Sequence, residues 1–480
     1  MYLSNNFWSN LKLFAGNTAL IDTASKQSLT YKELDDESDF ISEKIKLPHK
    51  GLAFLFTTNN QESVVLYVAL LKSGNAVLLL DEKLNEEIRN GLIDNYKPDF
   101  IISSSSITSS EYENYLEYHS LRFLKKKDIQ SSEIFPDLVV LLSTSGTTGS
   151  PKLVKLSYKN IQSNAASIAE YLNIDENEKP ITTLPFNYSF GLSIINSHLL
   201  KGSTIVLTEK TVFFRDFWAL FNEYKCTSFA GVPYTYTMLK RIGFEKIDLP
   251  SLKYFTQAGG KLSEEFIKFF NDYAISSKKK FFVMYGQTEA TARITYVPYK
   301  RLSGKIGSIG ISIPGGELKI MNDGIEVLTP KEVGEIVYRG DNVMLGYAEV
   351  LNDLSKGDEL KGVLFTGDLG YKDEDGFFYV TGRMKRFIKI FGLRINLDEV
   401  QKMLENHFKI SVACTGKDDL LQILVQSDDY LTEVKVKEEV MKMYQLNFKS
   451  LVVRTTNQIP TNTNGKYDYN KIKEMVGFGA

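Results

Sequence analysis

The strongest constraint on the fold is an alternation of apolar runs with amphipathic segments near the start of the chain. GLAFLFTTNN at 51–60 is followed by QESVVLYVALLKSG at 61–74 and by NAVLLLD at 75–81. The first and third runs have the length and apolar continuity of buried strands, and the second ends at a glycine, as many helices do. Short strands that alternate with helices are typical of a parallel α/β sheet.

Neighbouring segments extend this pattern. A helix is predicted at 29–45, where Thr30 and Glu33 have the spacing of a capping box, and strands are predicted at 100–106 and 137–143. We therefore expect a large α/β domain built on doubly wound parallel sheets.

The sequence pattern changes in the second half of the chain. Helix-like and strand-like runs alternate over about 160–295, and then 303–383 reads as short strands and glycine turns, the pattern of a small β-rich lobe. A helix rich in charged residues is predicted at 431–443. We place the domain boundary near 383–385, so that a large domain covers 1–383 and a small, mobile α+β domain covers 384–480.

Composition narrows the class of partner. The chain has 480 residues, enough for about two to four domains, and a formal net charge of −2, which gives no electrostatic case for nucleic acid. The only cysteines, Cys226 and Cys414, stand far apart, and the four histidines are scattered, so the sequence does not predict a zinc site.

No segment predicts secretion or insertion into a membrane. The N-terminus lacks a basic start followed by an apolar run. Residues 180–200 carry no Asp, Glu, Lys or Arg, but two prolines and several Ser and Asn side chains make them a poor span. We expect a buried segment that lines a substrate site, in a cytoplasmic protein without a membrane partner.

The loop STSGTTGSPK at 143–152 follows a predicted buried strand, the position where open α/β sheets bind ligands. Its glycines, hydroxyls and lysine suit a phosphate chain. The spacing departs from GxxxxGK because Pro151 stands between Gly149 and Lys152, which disfavours a P-loop nucleotidase. Taken alone, the loop could be an ordinary surface turn.

The same loop resembles the phosphate-binding signature of the adenylate-forming superfamily, which includes acyl-CoA synthetases, peptide-synthetase adenylation domains and luciferases. The match runs from Thr144 to Lys152, and Leu153 stands where the family usually has glycine. The resemblance implies that Lys152 takes part in catalysis and that the loop binds ATP phosphates through Thr144, Ser145, Gly146, Thr147, Thr148 and Gly149.

A second match is VMYGQTEAT at 283–291. In the family this segment supplies a flat ring for adenine, here Tyr285, a catalytic hydroxyl at the α-phosphate, here Thr288, and a carboxylate ligand for Mg²⁺, here Glu289. Further nucleotide contacts fall on Gly259 and Gly260. The alternative is a strand end followed by a helix with the glutamate in its first turn.

Two further segments are similar to the family's nucleotide and hinge motifs. FTGDLGYKDEDGFFYVTGR at 365–383 places Asp368 and Arg383 at the ribose-binding positions. Part of it is also a plain hairpin turn. GRMKRFIKIFGLRINLDEVQ at 382–401 places Lys385 at the hinge, although a solvated basic face would explain this stretch as well. The residues on the thiol side of the hinge are Lys389 and Gly392.

The last match is IPTNTNGKYDYNKI at 459–472, where Lys466 takes the place of the family's catalytic lysine. By itself it could be an exposed lysine. Together the matches imply ATP- and Mg²⁺-dependent activation of a carboxylic acid as acyl-adenylate, with release of pyrophosphate and transfer to CoA or to the phosphopantetheine of a carrier protein. Acyl transfer to an amine or hydroxyl, activation of an amino acid, and a non-catalytic nucleotide-binding protein remain alternatives.

The family's acid pocket corresponds to LPFNYSFGL at 184–192, AGVPYTY at 230–236 and TQAGGKL at 256–262. The first segment lacks the aspartate that amino-acid-activating relatives carry. Polar side chains favour a small or medium acid with polar substituents. The candidate pocket residues are Asn187, Tyr188, Tyr234 and Gln257.

Overall fold

The computed structural model describes residues 6–107, 109–128, 133–143, 152–384, 386–390, 393–417, 419–444, 446–461 and 467–477. These residues form eleven α-helices and 26 strands. The helices are α1 (Tyr31–Lys44), α2 (Gln61–Ser73), α3 (Glu86–Tyr96), α4 (Tyr158–Leu172), α5 (Ser189–Leu199), α6 (Arg215–Glu223), α7 (Pro233–Arg241), α8 (Glu264–Ser276), α9 (Leu397–Phe408), α10 (Tyr430–Tyr444) and α11 (Tyr469–Gly477).

The strands are short throughout. They are β1 (Thr18–Asp22), β2 (Gln27–Thr30), β3 (Leu52–Thr57), β4 (Ala76–Asp81), β5 (Phe100–Ser103), β6 (Tyr112–Tyr118), β7 (Leu121–Lys126), β8 (Leu138–Ser143), β9 (Leu153–Ser157), β10 (Ile205–Leu207), β11 (Ser228–Gly231), β12 (Tyr254–Gln257), β13 (Lys280–Tyr285), β14 (Thr295–Tyr296), β15 (Ile311–Ser312), β16 (Gly316–Asn322), β17 (Ile325–Glu326), β18 (Gly334–Gly340), β19 (Gly346–Ala348), β20 (Val363–Lys372), β21 (Phe378–Arg383), β22 (Phe387–Ile390), β23 (Leu393–Asn396), β24 (Val412–Lys417), β25 (Leu420–Gln426) and β26 (Leu451–Thr456).

The centre of the largest sheet confirms the predicted α/β class. Its order is β19-β9-β8-β4-β3-β5-β7-β6, and β8, β4, β3 and β5 run parallel. Every residue of β3 is buried, as the continuous apolar run predicted. The strand before the glycine-rich loop is β8, so the loop does leave the carboxyl end of a buried strand.

Both edges of this sheet are antiparallel, a feature that the sequence analysis did not predict. β5 pairs antiparallel with β7 and β7 with β6, and on the other side β8, β9 and β19 form antiparallel pairs. The sequence did not predict β6, because its exposed, polar-rich pattern lacks a continuous apolar run.

The first helices follow their local signals closely. α1 begins with the capping box between Thr30 and Glu33, with the Glu33 backbone N–H 3.2 Å from Thr30 Oγ1 and the Thr30 N–H 2.7 Å from Glu33 Oε2. α2 ends at Gly74, whose φ of +82° favours glycine. These two helices pack against β3 and β4 in one hydrophobic core.

A second sheet, in the order β11-β12-β13-β14-β15, carries the segments that were predicted to surround the acid. Its first three strands are parallel. The uncharged segment 180–200 contributes α5, which is largely buried. Among the described helices, none is long and apolar enough to cross a bilayer.

The C-terminal part is β-rich and then mixed, as predicted. A five-stranded sheet of order β17-β16-β18-β20-β21 is followed by the hairpin of β22 and β23 and by a three-stranded sheet of β24, β25 and β26. The described residues divide into two compact units. The first comprises residues up to 143, 152–317 and 338–364, and the second comprises 318–337 and the residues from 365 onward. The boundary at 383/384 stays a prediction.

Removal of the α1 capping box tests the local determinants of the first unit. Thr30→Ala leaves the Glu33 backbone N–H without its acceptor, and we expect the free energy of unfolding to fall by about 1 kcal/mol. Thr30→Ser keeps the hydroxyl and serves as the control. Chemical denaturation of the three proteins measures the difference. Equal stability of the alanine and serine variants would contradict a contribution from the cap.

Candidate active site

The candidate active site of the first unit is built at the carboxyl end of β13. The chain makes a tight reversal there. The reversal brings the backbone so close that a Cβ on Gly286 would lie 1.9 Å from the Ala292 carbonyl oxygen. Only glycine fits such an approach. Tyr285 ends the strand, and its hydroxyl accepts a hydrogen bond from Gln287 Nε2 at 3.1 Å. The 3-10 turn Thr288–Ala290 follows, so three predicted nucleotide-binding side chains share one loop.

The predicted metal and phosphate residues of this unit lie in one cluster, which centres on Tyr347. The Tyr347 hydroxyl donates to Glu289 Oε1 at 2.8 Å, and Lys152 Nζ lies 5.8 Å from the centre of the Tyr347 ring. Lys152 also pairs with Glu349 at 2.6 Å. The sequence analysis did not identify Tyr347, because its short strand lies in none of the segments that resemble the family motifs.

Backbone pairing fixes this cluster. In the register of β9 with β19, Tyr347 faces Val154, close to the start of the strand that follows Lys152. The Met344 N–H donates to the Glu289 carbonyl at 2.9 Å. The segment that carries Tyr347 is therefore tied on one side to the metal-ligand turn and on the other to the strand after the glycine-rich loop.

The charges in this cluster are available to a ligand. The side chains of Lys152 and Glu349 are 58% and 57% exposed, and exposed ion pairs contribute at most about 1 kcal/mol. The ammonium can therefore turn toward a phosphate at small cost. Burial, and then the neighbouring Glu289 carboxylate, raise the pKa of the Tyr347 phenol well above its usual range, so the phenol stays a hydrogen-bond donor.

The donor set fits Mg²⁺ that arrives with a nucleotide. Within the described part of the chain, no group of three or more His, Cys, Asp or Glu side chains could enclose a metal ion. Mg²⁺ is usually held by one or two carboxylates together with phosphate oxygens and water, and a half-buried Glu289 beside a donor hydroxyl meets that requirement.

The start of α5 lies against the same turn. Ser189 Oγ lies 3.2 Å from Thr288 Oγ1, and either hydroxyl can donate. A Cβ on Gly191 would lie 2.1 Å from the Pro185 carbonyl oxygen, so glycine allows the helix to pack against its own leading segment. Ser189 was not among the predicted site residues, although it lies within the predicted acid-lining segment.

The turn after β12 packs beside Tyr188. Gly259 has a φ of +83°, and a Cβ there would meet the Tyr188 hydroxyl at 2.8 Å. The next residue, Gly260, is exposed. Gln257 is buried, and its side-chain amide donates to the Gly260 carbonyl at 2.8 Å, which holds the turn in place. Gln257 therefore orients the glycine turn, and Tyr188 packs against Gly259.

A cavity of about 20 Å³ lies between α4, α5 and the second sheet. Each of the three predicted acid-lining segments contributes one lining residue, Phe190, Ala230 and Thr256, but none of the four named pocket residues lines it. Of the four named pocket residues, Asn187 and Tyr188 are half-buried, whereas Tyr234 is exposed in the first turn of α7.

The cavity also contains a charged side chain that sequence reasoning missed. Arg293 is 3% exposed, its guanidinium carbon lies 3.8 Å from the centre of the Phe190 ring, and its Nε has no hydrogen-bond partner. One terminal nitrogen approaches the Ala292 carbonyl at 3.4 Å. The signal was present, since Arg293 interrupts an otherwise uncharged stretch just after Glu289.

This burial is energetically unfavourable for the protein by itself. No carboxylate of the described residues forms an ion pair with Arg293, and taking an ion out of water costs several kcal/mol. A desolvated cation–π contact with Phe190 returns only about 2 kcal/mol. The buried arginine therefore does not contribute to the stability of the free protein. Its presence indicates a role in binding an anion or another role unrelated to stability.

His198 lies in the same cavity and is neutral. Burial lowers the pKa of its imidazole to about 4. Its Nδ1 lies 2.8 Å from the Ile194 carbonyl, which can only accept, so the proton is assigned to Nδ1 and Nε2 is left to accept from the Tyr254 hydroxyl at 3.3 Å. The histidine fixes the wall of the cavity and adds no charge to it.

In the second unit the two predicted ribose-binding residues contact each other. Asp368 and Arg383 face one another on β20 and β21, and Arg383 Nε donates to Asp368 Oδ1 at 3.0 Å. The aspartate side chain is 4% exposed and the arginine side chain is 62% exposed. The arginine backbone N–H donates to Asp398 at 2.9 Å.

Several predicted residues lie outside the described part of the chain. They are the loop residues Thr144, Ser145, Gly146, Thr147, Thr148 and Gly149, the hinge residue Lys385, the thiol-side Gly392 and the catalytic-lysine candidate Lys466. Lys389 is described only in its backbone, which pairs with Arg394 in the hairpin of β22 and β23.

Comparison with known proteins identifies the family to which the chain is similar. The family model described as AMP-binding enzyme matches residues 7–348. The chain is 27% identical to a 2-succinylbenzoate–CoA ligase of Bacillus pumilus over 92% of both chains, and 30% identical to that of Bacillus subtilis over 82% of this chain and 81% of the relative. Among solved structures, the o-succinylbenzoate CoA synthetase of Bacillus subtilis with an acyl-adenylate intermediate superimposes with a TM-score of 0.76, 25% identity and 98% coverage of both chains.

The buried histidine predicts a loss of stability in mild acid. The folded pKa of His198 is about 4 and the ordinary value is 6.5, so below pH 6.5 the unfolded chain takes up a proton that the folded chain does not. Arg293 in the same cavity also disfavours a charged imidazole, and the Tyr254 hydroxyl is the side-chain group that faces Nε2. We expect this group alone to remove about 3 kcal/mol of stability as the pH falls from 6.5 to 4.

Urea denaturation at a series of pH values measures this effect. His198→Gln should flatten the fall in stability over that interval, whereas the exposed His119, replaced by Gln in the same way, should leave it unchanged. Parallel curves for wild type and His198→Gln would contradict a buried neutral histidine.

Proposed function

The chain belongs to the AMP-binding enzyme family, and from that premise we propose that it joins a small or medium carboxylic acid to the thiol of CoA through an acyl-adenylate. It is an AMP-forming acid–thiol ligase. The proposed roles rest on the cluster of Lys152, Tyr347 and Glu289. Tyr347 contacts both Lys152, the candidate for phosphate binding, and Glu289, the candidate for metal binding, which lie far apart in the sequence.

The first half-reaction needs two anions to meet. A carboxylate oxygen of the acid attacks the α-phosphorus of ATP, the bond to the bridging oxygen breaks, and pyrophosphate leaves with its electron pair. Catalysis of this step is mostly positioning and neutralisation of charge. The acid becomes an acyl-adenylate, in which the carbonyl carbon carries a good leaving group.

The residues of the first unit have separate tasks in this proposal. Lys152 releases Glu349 and turns to the β- and γ-phosphates, together with the loop 144–149. Glu289 supplies an oxygen ligand for Mg²⁺, which offsets the negative charge of the pyrophosphate. The hydrogen bond from Tyr347 fixes the rotamer of Glu289, and the Thr288 hydroxyl donates to the α-phosphate.

The residues of the second unit hold the rest of the nucleotide. Asp368 accepts from the ribose hydroxyls, and the exposed Arg383 leaves the aspartate to make room for them. Lys466 bridges the carboxylate and the α-phosphate as charge moves between them. These roles extend the resemblance to the positions of this chain.

In the second half-reaction the thiol attacks the acyl carbonyl, AMP leaves and a thioester forms. We propose CoA as the acceptor, because the first relatives found are CoA ligases of nearly the same length. The pantetheine arm would pass Gly392, with Lys385 as the hinge between domains 1–383 and 384–480 and Lys389 on the thiol side. A carrier protein with the same arm is the alternative acceptor. Since ATP and CoA are cytoplasmic metabolites, we place the reaction in the cytoplasm.

The class of acid follows from the pocket and from the relatives. Those relatives are named for 2-succinylbenzoate, an aromatic keto acid with two carboxylates. Such an acid agrees with hydroxyl groups of Tyr188 and Ser189 that lie close to the cavity lined by Phe190 and Arg293. We propose keto- and aryl-substituted acids as the substrate class.

Acid-dependent exchange of pyrophosphate into ATP tests this function. The panel should contain aryl, keto, hydroxy, amino and fatty acids, and we expect exchange with substituted aryl or keto acids and little with amino acids. A clear preference for long-chain fatty acids would contradict the proposed class. Silence of folded protein that still binds ATP would instead favour a non-catalytic nucleotide-binding protein.

A variant of Lys466 tests whether the two half-reactions differ in their need for this lysine. We expect Lys466→Ala to lower the rate of adenylate formation by several hundredfold, because a point charge is lost beside the reacting atoms. Thioester formation from supplied acyl-adenylate should stay within about threefold of wild type, since that step proceeds without this lysine. Stopped-flow or quench-flow assays measure each step. Equal loss of both steps would contradict the assignment, and Lys471→Ala is a matched control on the same C-terminal segment.

A further inference from the structure

The cavity between α5 and the second sheet contains one cation without an anion. Arg293 is buried, its Nε is unpaired, and the described residues offer it no carboxylate. Arginine keeps its proton in proteins, so the site carries a full positive charge. The polar side chains close to it are the phenols of Tyr171 and Tyr188, whose pKa values burial raises, so they remain neutral.

We propose that Arg293 binds a second carboxylate of the acid substrate, at the end remote from the carboxylate that is activated, and so selects dicarboxylic acids. The inference rests on the proposed function. It assigns a specificity role to a residue that none of the sequence motifs identified.

The position of Arg293 in the fold supports this role. It lines the cavity with Phe190, Ala230 and Thr256, one residue from each segment that was predicted to surround the acid. The Gly286 reversal packs Ala292 directly against the loop that carries Thr288, so the guanidinium follows the adenylation loop at short range. In this proposal the acid presents one end to Thr288 and its other end to Arg293.

The size of the cavity defines what the guanidinium can take. A volume of about 20 Å³ holds one group the size of a water molecule, such as the terminal oxygen of a carboxylate. Phe190 covers one face of the guanidinium, which leaves the edge with the unpaired Nε–H for a donor contact. The neutral His198 adds no competing charge to the cavity.

The melting temperature distinguishes a binding role of Arg293 from a purely structural role. If Arg293 stabilised the core, its removal would lower the melting temperature of the free protein. A buried ion without a partner is itself unfavourable, so we expect Arg293→Met, which keeps the length and apolar stem, to melt at the same or a higher temperature than wild type.

The decisive experiment compares pairs of acids that differ by one remote carboxylate, such as 2-succinylbenzoate and 4-oxo-4-phenylbutanoate, or glutarate and butanoate. Pyrophosphate exchange gives kcat/KM for each acid. We expect wild type to prefer the diacid, and Arg293→Gln to lose about 100-fold with the diacid while staying within about threefold with the monoacid. Arg293→Lys, which keeps the charge, should recover part of the loss.

Arg89 provides a matched control. Its side chain is also mostly buried, and its Nε also lacks a hydrogen-bond partner, but it pairs with Glu86 and lies outside the cavity. Arg89→Gln should leave the preference between diacid and monoacid unchanged. An equal change with both acids in Arg293→Gln would overturn the proposal, as would a wild-type preference for the monoacid.

A binding measurement separates this proposal from the proposed function. The diacid should raise the melting temperature of wild type in the presence of AMP, and should not raise that of Arg293→Gln. If wild type shows no exchange with any acid but this shift is present and depends on Arg293, the anion site stands and the ligase function fails. If exchange occurs but the shift does not depend on Arg293, the function stands and the anion site is wrong.

Discussion

The pairing of β9 with β19 is the constraint on which the candidate active site depends. It holds Tyr347 opposite Val154, and the adjoining Met344 N–H ties the same segment to the backbone of Glu289. One short strand therefore joins the strand after the glycine-rich loop to the turn at the end of β13. The Tyr347 hydroxyl then orients the Glu289 carboxylate across this connection.

The charged groups among the candidate binding residues fall into two kinds, which differ in their exposure to solvent. The Lys152–Glu349 pair is exposed, and Arg383 is exposed where it meets Asp368, so partners can be exchanged at small cost. Arg293 is buried, and an unpaired charge in a buried position is unfavourable. In the proposed function the exposed cations exchange partners with a nucleotide, and the buried one recognises the acid.

Much of the fold was predictable because its signals are local. The Thr30 capping box, the glycine after α2 and the apolar runs of β3 and β4 each depend on a few consecutive residues. The antiparallel edges were not predictable in the same way. β6 is polar and exposed, and its pairing with β7 is a contact between segments rather than a property of either one. The fold class was right, and the edge order required the tertiary structure.

The sequence by itself determined which positions match the nucleotide-binding motifs of the family. Five candidate residues stand in motifs whose order and spacing can be recognised without any knowledge of contacts. They are Lys152, Thr288, Glu289, Asp368 and Arg383. Only the tertiary structure decided that Tyr347 stands between Lys152 and Glu289, that Gln257 holds a glycine turn, and that Arg293 is buried with its Nε unpaired. The physical reason is that a motif records chemistry along the chain, whereas burial and charge pairing depend on segments that meet only after folding.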